Sequence, residues 1–335
     1  MTQDDILTIT TGNATKNVTF SVPISYPSDM AGIGPFPVII AFGALTLPRP
    51  PSVAVLTLNV TLIAAAAEAG PATRGVGLFY DLYGADATAG ALMAWAWAVS
   101  RILDALEVTP AMAGRIDAGR VAVTGCAAHG KAALVAGAFD ERIALTVPQE
   151  SGLGGDACWR VSRALAPSGR DGPTTTAAET ADENVWFRRS FDVFGRGNGS
   201  IGLLPVDQHE LAALVAPRGL YSTSNIGGGG AGAGRGGPSS SSFQCMTAAN
   251  AAFRALGAAD SQGFSEDGPH ESCAFPASQK AELLAFYERF LFGRDVATGV
   301  LRTAGNGSYD ASWAPWKMPV LVAGVTFRNA SEGGR

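Results

Sequence analysis

Short apolar segments alternate with longer helix-forming segments along this chain. Continuous apolar runs of five or six residues are typical of strands buried on both faces, and parallel strands need a crossover helix between them. This alternation predicts a mostly parallel sheet, covered by helices on both faces, in one domain that spans residues 1–335. The predicted strands are residues 37–42, 53–58, 120–124, 143–147 and 219–223, and the predicted helices are residues 89–106, 131–139, 245–256 and 276–292.

Composition narrows the classes of protein. The chain is 47% hydrophobic and 16% charged, so it can bury a large core. Its most apolar stretch, residues 87–106, is interrupted by Trp, Ser, Arg and Asp, so we expect no membrane span. The formal net charge is −5 without a basic stripe, so we expect no nucleic-acid partner. No Cys-x-x-Cys spacing indicates a zinc site, so we expect no bound metal. We also expect a monomer without a cofactor.

Glycosylation triplets and cysteines indicate secretion. Four cysteines allow two disulfides in any of three pairings, as is usual for an extracellular protein. Met1 is followed by a polar segment without an apolar signal region, so we expect that a signal peptide and the natural N-terminal segment are missing. Six of the nine asparagines lie in Asn-x-Ser/Thr triplets, namely Asn13, Asn17, Asn59, Asn198, Asn306 and Asn329.

Residues 227–242 form a low-complexity segment of Gly, Ala, Arg, Pro and Ser. Such a segment cannot bury enough apolar surface to offset the entropy of ordering its backbone. We therefore predict a flexible loop. A phosphate-binding role is not expected, because no Lys-Ser/Thr pair and helix follow these glycines.

Residues 120–139 read as a strand, a turn bounded by Gly125 and Gly130, and a helix. This is the pattern of a nucleophile elbow, a strained turn that lifts one side chain above the sheet while the next backbone N–H faces the developing oxyanion. Taken alone, the turn could also be an ordinary strand-to-helix connection with glycines at its packing contacts.

The elbow belongs to a longer stretch, residues 123–152 and 157–160, that closely resembles the glucuronoyl esterases of carbohydrate esterase family 15. These enzymes hydrolyse the ester between 4-O-methylglucuronate of xylan and lignin alcohols. The resemblance implies an α/β-hydrolase fold, a three-layer αβα sandwich, and glucuronoxylan or a lignin-carbohydrate ester as ligand. Further matches follow in chain order at residues 74–75, 79–84, 89–97, 183–187, 204–207, 209–213 and 273–276.

The family's catalytic positions are occupied unusually. The resemblance places the nucleophilic serine at Ala127, the oxyanion-stabilising arginine at Ala128 and the base histidine at Ser272. The catalytic acid of the family is retained as Glu150. Removing the nucleophile or the base of a serine hydrolase costs on the order of 10⁶ in turnover, so we expect impaired or absent catalysis.

Three histidines are available as substitute bases. His270 lies two residues before the expected position and is expected on the surface of a loop. His129 lies inside the elbow turn and is expected to point along the helix start. His209 is expected to be structural.

The resemblance also implies sugar contacts and disulfides. Lys131 and Glu183 match residues that contact glucuronate in the family, whereas Thr175 stands near a family glutamine and the Trp-bearing loop of the family is replaced by the Gly-rich segment. The implied disulfides are Cys126–Cys273 and Cys158–Cys245.

Three hypotheses follow. The chain is a catalytically silent homologue that still binds glucuronoxylan, or an active ester hydrolase with an incorrect gene sequence or a substitute nucleophile such as Ser151 or Ser272. The third hypothesis is a secreted carbohydrate-binding or structural protein that uses another face of the fold.

Overall fold

A twisted sheet runs through the centre of the protein in a computed structural model, which describes residues 4–28, 34–65, 72–165, 177–182, 185–195, 200–226, 239–304 and 308–314. Within these residues the sheet has nine strands: β1 (Asp4–Gly12), β2 (Asn17–Ser25), β3 (Phe36–Phe42), β4 (Ala54–Leu58), β5 (Ile116–Cys126), β6 (Ile143–Gln149), β7 (Gly219–Asn225), β8 (Gln262–Asp267) and β9 (Leu301–Arg302).

Helices connect the strands. In the described ranges they are α1 (Val60–Ile63), α2 (Leu78–Tyr83), α3 (Ala91–Val108), α4 (Pro110–Ala113), α5 (Ala128–Phe139), α6 (Trp159–Leu165), α7 (Ala177–Asp182), α8 (Asp192–Gly195), α9 (Gln208–Ala213), α10 (Ser239–Ala255) and α11 (Lys280–Phe290). Short 3-10 turns lie at 189–191, 200–203, 259–261, 277–279 and 311–313.

The strand order is β1-β2-β4-β3-β5-β6-β7-β8-β9. The β1–β2 and β2–β4 pairs are antiparallel, and every pair from β4 to β9 is parallel. Parallel strands bring their carboxyl ends to the same edge of the sheet, where ligands bind in open α/β sheets. The ends of β5, β6, β7 and β8 are therefore the part of the fold in which a site is expected.

Helices cover both faces of the sheet. Along β3, Val38 and Ile40 pack into a core with α3 and α5, whereas Ile39 packs on the opposite face against α11. Adjacent residues of a strand point to opposite faces, so a fully buried strand such as β3 must be apolar throughout. The result is a single-domain three-layer αβα sandwich, the α/β-hydrolase architecture that the sequence predicts.

All five predicted strands and all four predicted helices are present, with bounds that differ by a few residues. The prediction missed four strands: β1 and β2 of the N-terminal hairpin, and β8 and β9. In β2, exposed and buried residues alternate, because one face of this hairpin is solvated. Because half of its residues are polar, β2 contains no continuous apolar run and was not predicted as a strand.

The predicted loop at 227–242 needs a correction at its end. Residues 227–238 lie outside the described residues, so the flexible loop stays a prediction there. Helix α10 begins at Ser239, and the Ser241 and Ser242 side chains are buried. The Ser242 hydroxyl donates to Asp156 Oδ1 at 3.0 Å and that of Ser241 donates to the Cys158 carbonyl at 3.2 Å, which gives these serines buried partners that composition does not reveal.

All four cysteines are paired, as Cys126–Cys273 and Cys158–Cys245. Both pairs are those that the family resemblance implies. None of the helices in the described part of the chain combines the length and apolarity needed to cross a bilayer.

Candidate active site

Ala127 occupies the apex of the turn between β5 and α5. Its backbone has φ 56° and ψ −119°, a region that residues other than glycine rarely adopt. The Ala127 N–H donates to the carbonyl of Gln149, the last residue of the neighbouring strand β6, at 3.0 Å. The turn is therefore a strained elbow at the carboxyl edge of the sheet, and the side chain at its apex is a methyl group.

Two glycines let the chain cross so tightly. A Cβ at Gly125 would lie 2.6 Å from the backbone of His129, and a Cβ at Gly130 would lie 2.7 Å from the Gln149 carbonyl oxygen. Neither distance is compatible with a side chain, so both positions require glycine. Ala128 is the first residue of α5, and the first backbone N–H groups of a helix have no acceptor within the helix. The turn thus has the tight backbone of an elbow, with alanine at residues 127 and 128.

The substitution Ala127→Gly is expected to stabilise the protein. A non-glycine residue in a sparsely populated backbone region costs about 1–3 kcal/mol, and the greater freedom of glycine in the unfolded chain offsets roughly 0.5–1 kcal/mol of the gain. We expect a net increase of about 1 kcal/mol in the free energy of unfolding, measured with urea. The same substitution at Ala105 in helix α3 should instead lose about 1 kcal/mol. A loss at position 127 would show that the turn is not strained.

Glu150 follows β6 directly and is buried. Its backbone N–H donates to the Thr223 carbonyl of β7 at 2.7 Å, and its own φ is 46°. The carboxylate Oε1 accepts from the Cys273 backbone N–H at 3.0 Å, and Oε2 accepts from the Ser272 hydroxyl at 3.4 Å. The structure therefore brings Glu150, Ser272 and the elbow together, and the Cys126–Cys273 disulfide ties the chain next to Ser272 to the elbow.

Burial raises the pKa of the Glu150 carboxyl, although the Cys273 N–H and neighbouring polar groups oppose this. Because the folded state then holds this proton more tightly than the unfolded chain does, ionisation costs stability. Stability from this group is lost as pH rises from about 4.3, the ordinary glutamate value, through the raised value of the folded state.

The variant Glu150→Gln should therefore be more stable than the parent at pH 7, and the advantage should vanish below about pH 4, where the parent carboxyl is also neutral. Glutamine keeps the acceptor for the Cys273 N–H. Thermal unfolding measured across this pH range checks the expectation, with Glu271→Gln as a matched substitution at an exposed neighbour. A variant less stable than the parent at pH 7 would contradict it.

His270 was expected on the surface of a loop, but the structure places it in a largely buried position. Its side chain is only 17% exposed, and Nδ1 lies 4.0 Å from Glu150 Oε1. Asn225, the last residue of β7, donates from Nδ2 to the His270 carbonyl at 2.9 Å and accepts from its backbone N–H at 3.3 Å. Asn225 was not among the predicted site residues, although a polar residue at the carboxyl end of a buried parallel strand is a recognisable signal.

The other two histidines have packing roles. The His129 ring lies edge-on to Trp95, with centroids 5.6 Å apart, and is next to Gly43 at the end of β3. His209 is buried, with Nδ1 3.7 Å from Cys158 Sγ and its ring against Trp313. Burial lowers the pKa of His209. This placement agrees with a structural role for His209.

Lys131 is a buried cation. Its side chain is 1% exposed, the ammonium donates to the Ser151 carbonyl, and Nζ lies 5.5 Å from the ring centroid of Trp186. The carboxylate of Asp156 also attracts the Lys131 ammonium. Asp156 is itself fully buried, and this burial raises its pKa, although the charge of Lys131 opposes the shift. Lys131 is therefore not a solvated helix-start lysine. Ser151 is buried too, and its hydroxyl accepts from the Asp156 N–H at 2.9 Å, so it is poorly placed to attack a substrate.

Other predicted site residues fall outside the described part of the chain. These are Glu183, Thr175 and the glycosylation residues Asn198, Asn306 and Asn329. The remaining glycosylation residues, Asn13, Asn17 and Asn59, are exposed. Among the described side chains there is no cluster of three or more His, Cys, Asp or Glu that could hold a metal ion.

A separate apolar cavity of about 860 Å³ lies between the 185–191 segment, α3, α5 and α9. Its wall includes Trp159, Trp186, Phe187 and Phe191, three of which pack ring against ring. Its lining includes neither Ala127 nor Glu150, and Trp186 connects it to the surroundings of Lys131. The cavity is therefore a neighbour of the elbow and not part of it.

Known proteins resemble this chain in sequence. The sequence pattern of the family described as "Glucuronyl esterase, fungi" matches residues 9–257. The chain is 44% identical over 315 residues to the 4-O-methyl-glucuronoyl methylesterase of Hypocrea jecorina, covering 94% of this chain and 64% of that protein. It is 45% identical over 324 residues to the 4-O-methyl-glucuronoyl methylesterase 1 of Wolfiporia cocos, covering 94% and 75%. The chain thus spans less than two thirds of the Hypocrea jecorina protein.

Solved structures agree. The catalytic domain of the Hypocrea jecorina glucuronoyl esterase superposes with a TM-score of 0.85 at 43% identity, covering 95% of this chain and 82% of that one. A serine-to-alanine mutant of the Sporotrichum thermophile glucuronoyl esterase, in complex with methyl 4-O-methyl-beta-D-glucopyranuronate, superposes with a TM-score of 0.84 at 41% identity, covering 93% and 79%. With the elbow, the Glu150 strand end and both disulfides in place, this chain belongs to the fungal glucuronoyl esterase family.

Proposed function

We propose that this chain binds the 4-O-methylglucuronate esters of glucuronoxylan or of lignin-carbohydrate linkages but does not hydrolyse them at the rate of a serine esterase. The observation that carries the proposal is the methyl group of Ala127 at the apex of an otherwise intact elbow. A methyl group has no proton to give to a base and no lone pair to attack an ester carbonyl.

The expected loss is large. Removal of the nucleophile or base costs on the order of 10⁶ in turnover and leaves roughly 10³ to 10⁴ over water, from the oxyanion hole and binding. This remaining catalysis is weakened further, because Ala128 stands where the family has an arginine whose guanidinium stabilises the oxyanion. Binding of the ester depends on other contacts and is not removed by these changes.

A relative supports binding without a serine side chain. The serine-to-alanine mutant of the Sporotrichum thermophile esterase holds a methyl ester of 4-O-methylglucuronate. Similarly, Ala127 leaves space at the elbow for an ester group. We propose that Lys131 and Glu183 supply the sugar contacts, as the family resemblance implies.

Binding is tested by calorimetry with methyl 4-O-methylglucuronate and the native chain. We expect measurable binding, and we expect Lys131→Met to weaken it by about 10- to 100-fold, the equivalent of one charge-assisted hydrogen bond of 1.5–3 kcal/mol. Methionine keeps the apolar stem of the side chain and removes the ammonium. The exposed Lys280→Met at the start of α11 is the matched control and should bind as the native chain does.

Thermal unfolding of each variant separates a lost contact from a damaged fold, since Lys131 is buried beside Asp156. No binding by the native chain would contradict the proposal and favour the hypothesis of a structural protein. Turnover of benzyl glucuronate by the native chain that Glu150→Ala abolishes would support an active ester hydrolase instead.

We also propose that the protein is a secreted, glycosylated monomer. Two disulfides and three exposed Asn-x-Ser/Thr sites support secretion, because both modifications belong to the oxidising secretory route. The mass of the secreted protein before and after glycosidase treatment measures occupancy, and light scattering measures the oligomeric state. A chain without glycans that is retained inside the cell would contradict this assignment.

A further inference from the structure

The apolar cavity next to the elbow has the size and the fixed walls of a ligand pocket. Its volume of about 860 Å³ lies within the range of about 300–1,000 Å³ that is usual for small-molecule sites. The 185–191 segment forms one wall. The Ala91 N–H at the start of α3 donates to the Val185 carbonyl at 2.8 Å, and the Arg74 guanidinium donates to the Phe187 carbonyl at 2.9 Å. These bonds hold the wall in place, so the cavity is preformed.

Aromatic rings make up much of the lining. The Trp159 ring lies 5.6 Å from the Phe187 ring and 4.7 Å from the Phe191 ring, measured between centroids. The indole of Trp186 adds another ring to the lining. Gly154 lets the rings pack on the backbone, since a Cβ there would lie 2.5 Å from the Phe187 ring. Flat hydrocarbon faces at several angles suit a planar ligand, which can stack on one ring and meet the edge of another.

The opening of the cavity is apolar as well. Four lining side chains are large, hydrophobic and between 39% and 61% exposed, namely Met93, Phe139, Val206 and Leu214. Single exposed hydrophobic residues are common on protein surfaces, but a group of them around one cavity is typical of a binding site. This group extends the apolar lining out to the surface, so an apolar ligand can enter from water.

One buried acceptor in the lining has no donor. Gln208, the first residue of α9, lines the cavity and is only 8% exposed. No group in the described part of the chain donates to its Oε1. A buried acceptor without a donor is costly, so a ligand with an O–H group gains a hydrogen bond there that a pure hydrocarbon does not. A hydroxyl supplies this donor and leaves the rest of the ligand apolar.

We propose that the cavity is a binding site for a planar aromatic molecule with a hydroxyl group, its rings against Trp159 and Phe191 and its hydroxyl donating to Gln208 Oε1. An aliphatic alcohol supplies the same donor without the flat faces that stack on the rings. An aromatic hydrocarbon supplies the faces but leaves Oε1 without a donor. The inference does not rest on ester binding at the elbow, because the lining includes neither Ala127 nor Glu150.

The test uses equilibrium dialysis of the native chain against three probes near neutral pH. The probe 2-naphthol has both features, 1-octanol has a hydroxyl on an aliphatic chain, and 2-methylnaphthalene has the rings without a hydroxyl. We expect 2-naphthol to bind about 2- to 10-fold more tightly than 1-octanol, through its contacts with the aromatic rings. We expect Gln208→Leu to weaken 2-naphthol by about 2- to 10-fold, the equivalent of one hydrogen bond, without weakening 2-methylnaphthalene.

A second variant tests the opening of the cavity. Leu214→Asp should weaken both aromatic probes roughly 10-fold, because it replaces apolar contact area with a charge. Val108→Asp is the matched control and should bind as the native chain does. Val108 is also an exposed hydrophobic residue at the end of a helix, but it does not line the cavity. Thermal unfolding of each variant shows whether the fold is retained.

Four results would overturn the inference. They are no binding of 2-naphthol, 2-naphthol binding that neither Gln208→Leu nor Leu214→Asp weakens, tighter binding of 1-octanol than of 2-naphthol, and displacement of 2-naphthol by methyl 4-O-methylglucuronate. The third would identify a site for aliphatic chains, and the fourth would place the probe at the sugar site near Lys131. If Gln208→Leu does not fold, the order of the probes on the native chain and the Leu214→Asp variant still decide. A chain that does not bind the sugar ester leaves these measurements intact.

Discussion

The joint variant Ala127→Ser, Ala128→Arg, Ser272→His is expected to hydrolyse benzyl glucuronate at least roughly 10³ times faster than the native chain. The backbone that these side chains need is already present. Residue 127 sits at a strained elbow apex with φ 56°, and the residue 272 side chain already contacts Glu150. An imidazole at position 272 would therefore meet the acid that orients it in the family.

Adding Glu150→Ala to the joint variant should remove most of the gained activity, because the introduced imidazole would lose the carboxylate that orients it. Steady-state release of benzyl alcohol measures both variants. A joint variant that folds, binds the sugar ester and stays inactive would show that the sheet no longer positions these sites, and that more than these three side chains separate this chain from a working esterase.

Removing the Cys126–Cys273 disulfide is expected to lower the free energy of unfolding by about 2–5 kcal/mol. The two cysteines are 147 residues apart in sequence, so the bond restricts a long segment of the unfolded chain. In the folded state it also holds the Cys273 N–H against Glu150 Oε1. The double variant Cys126→Ala/Cys273→Ala, unfolded with urea under oxidising conditions, measures the loss.

The pair Cys158–Cys245 is the matched control. Its cysteines are 87 residues apart, so the entropic part of the loss should be similar, but Cys158 and Cys245 make none of the Glu150 hydrogen bonds described above. Only the variant Cys126→Ala/Cys273→Ala should also weaken the hydrogen bond between the Cys273 N–H and the Glu150 carboxylate, and so change how the free energy of unfolding depends on pH. A loss below about 1 kcal/mol for either pair would contradict the stabilising role of these bonds.

Much of the fold could be predicted because the decisive signals are local. Strands such as β3 are buried on both faces, so every residue must be apolar, and the run is visible in the sequence. The elbow is equally local, since Gly125 and Gly130 are required within one turn by contacts of less than 3 Å. Alternation along β2 was less visible because half of its residues face water.

The site was predictable only where residue identity was enough. Ala127, Ser272 and Glu150 were assigned by their place in family motifs, and the structure brings them together at one edge of the sheet. The placements of His270 and Lys131 were not predictable in the same way. Both were judged by their neighbours in sequence, whereas their surroundings come from β6, β7 and the segment that carries Trp186.

The sequence by itself determined which chemical groups this protein possesses: a methyl at residue 127, a hydroxyl at residue 272, the carboxyl of Glu150 and three imidazoles. Only the tertiary structure decided which of these groups meet. The distance from His270 to Glu150 depends on the end of β7, the connection after β8 and a disulfide that spans 147 residues. Contacts between segments so far apart are set by the packing of the whole sheet, and no local pattern of residues encodes them.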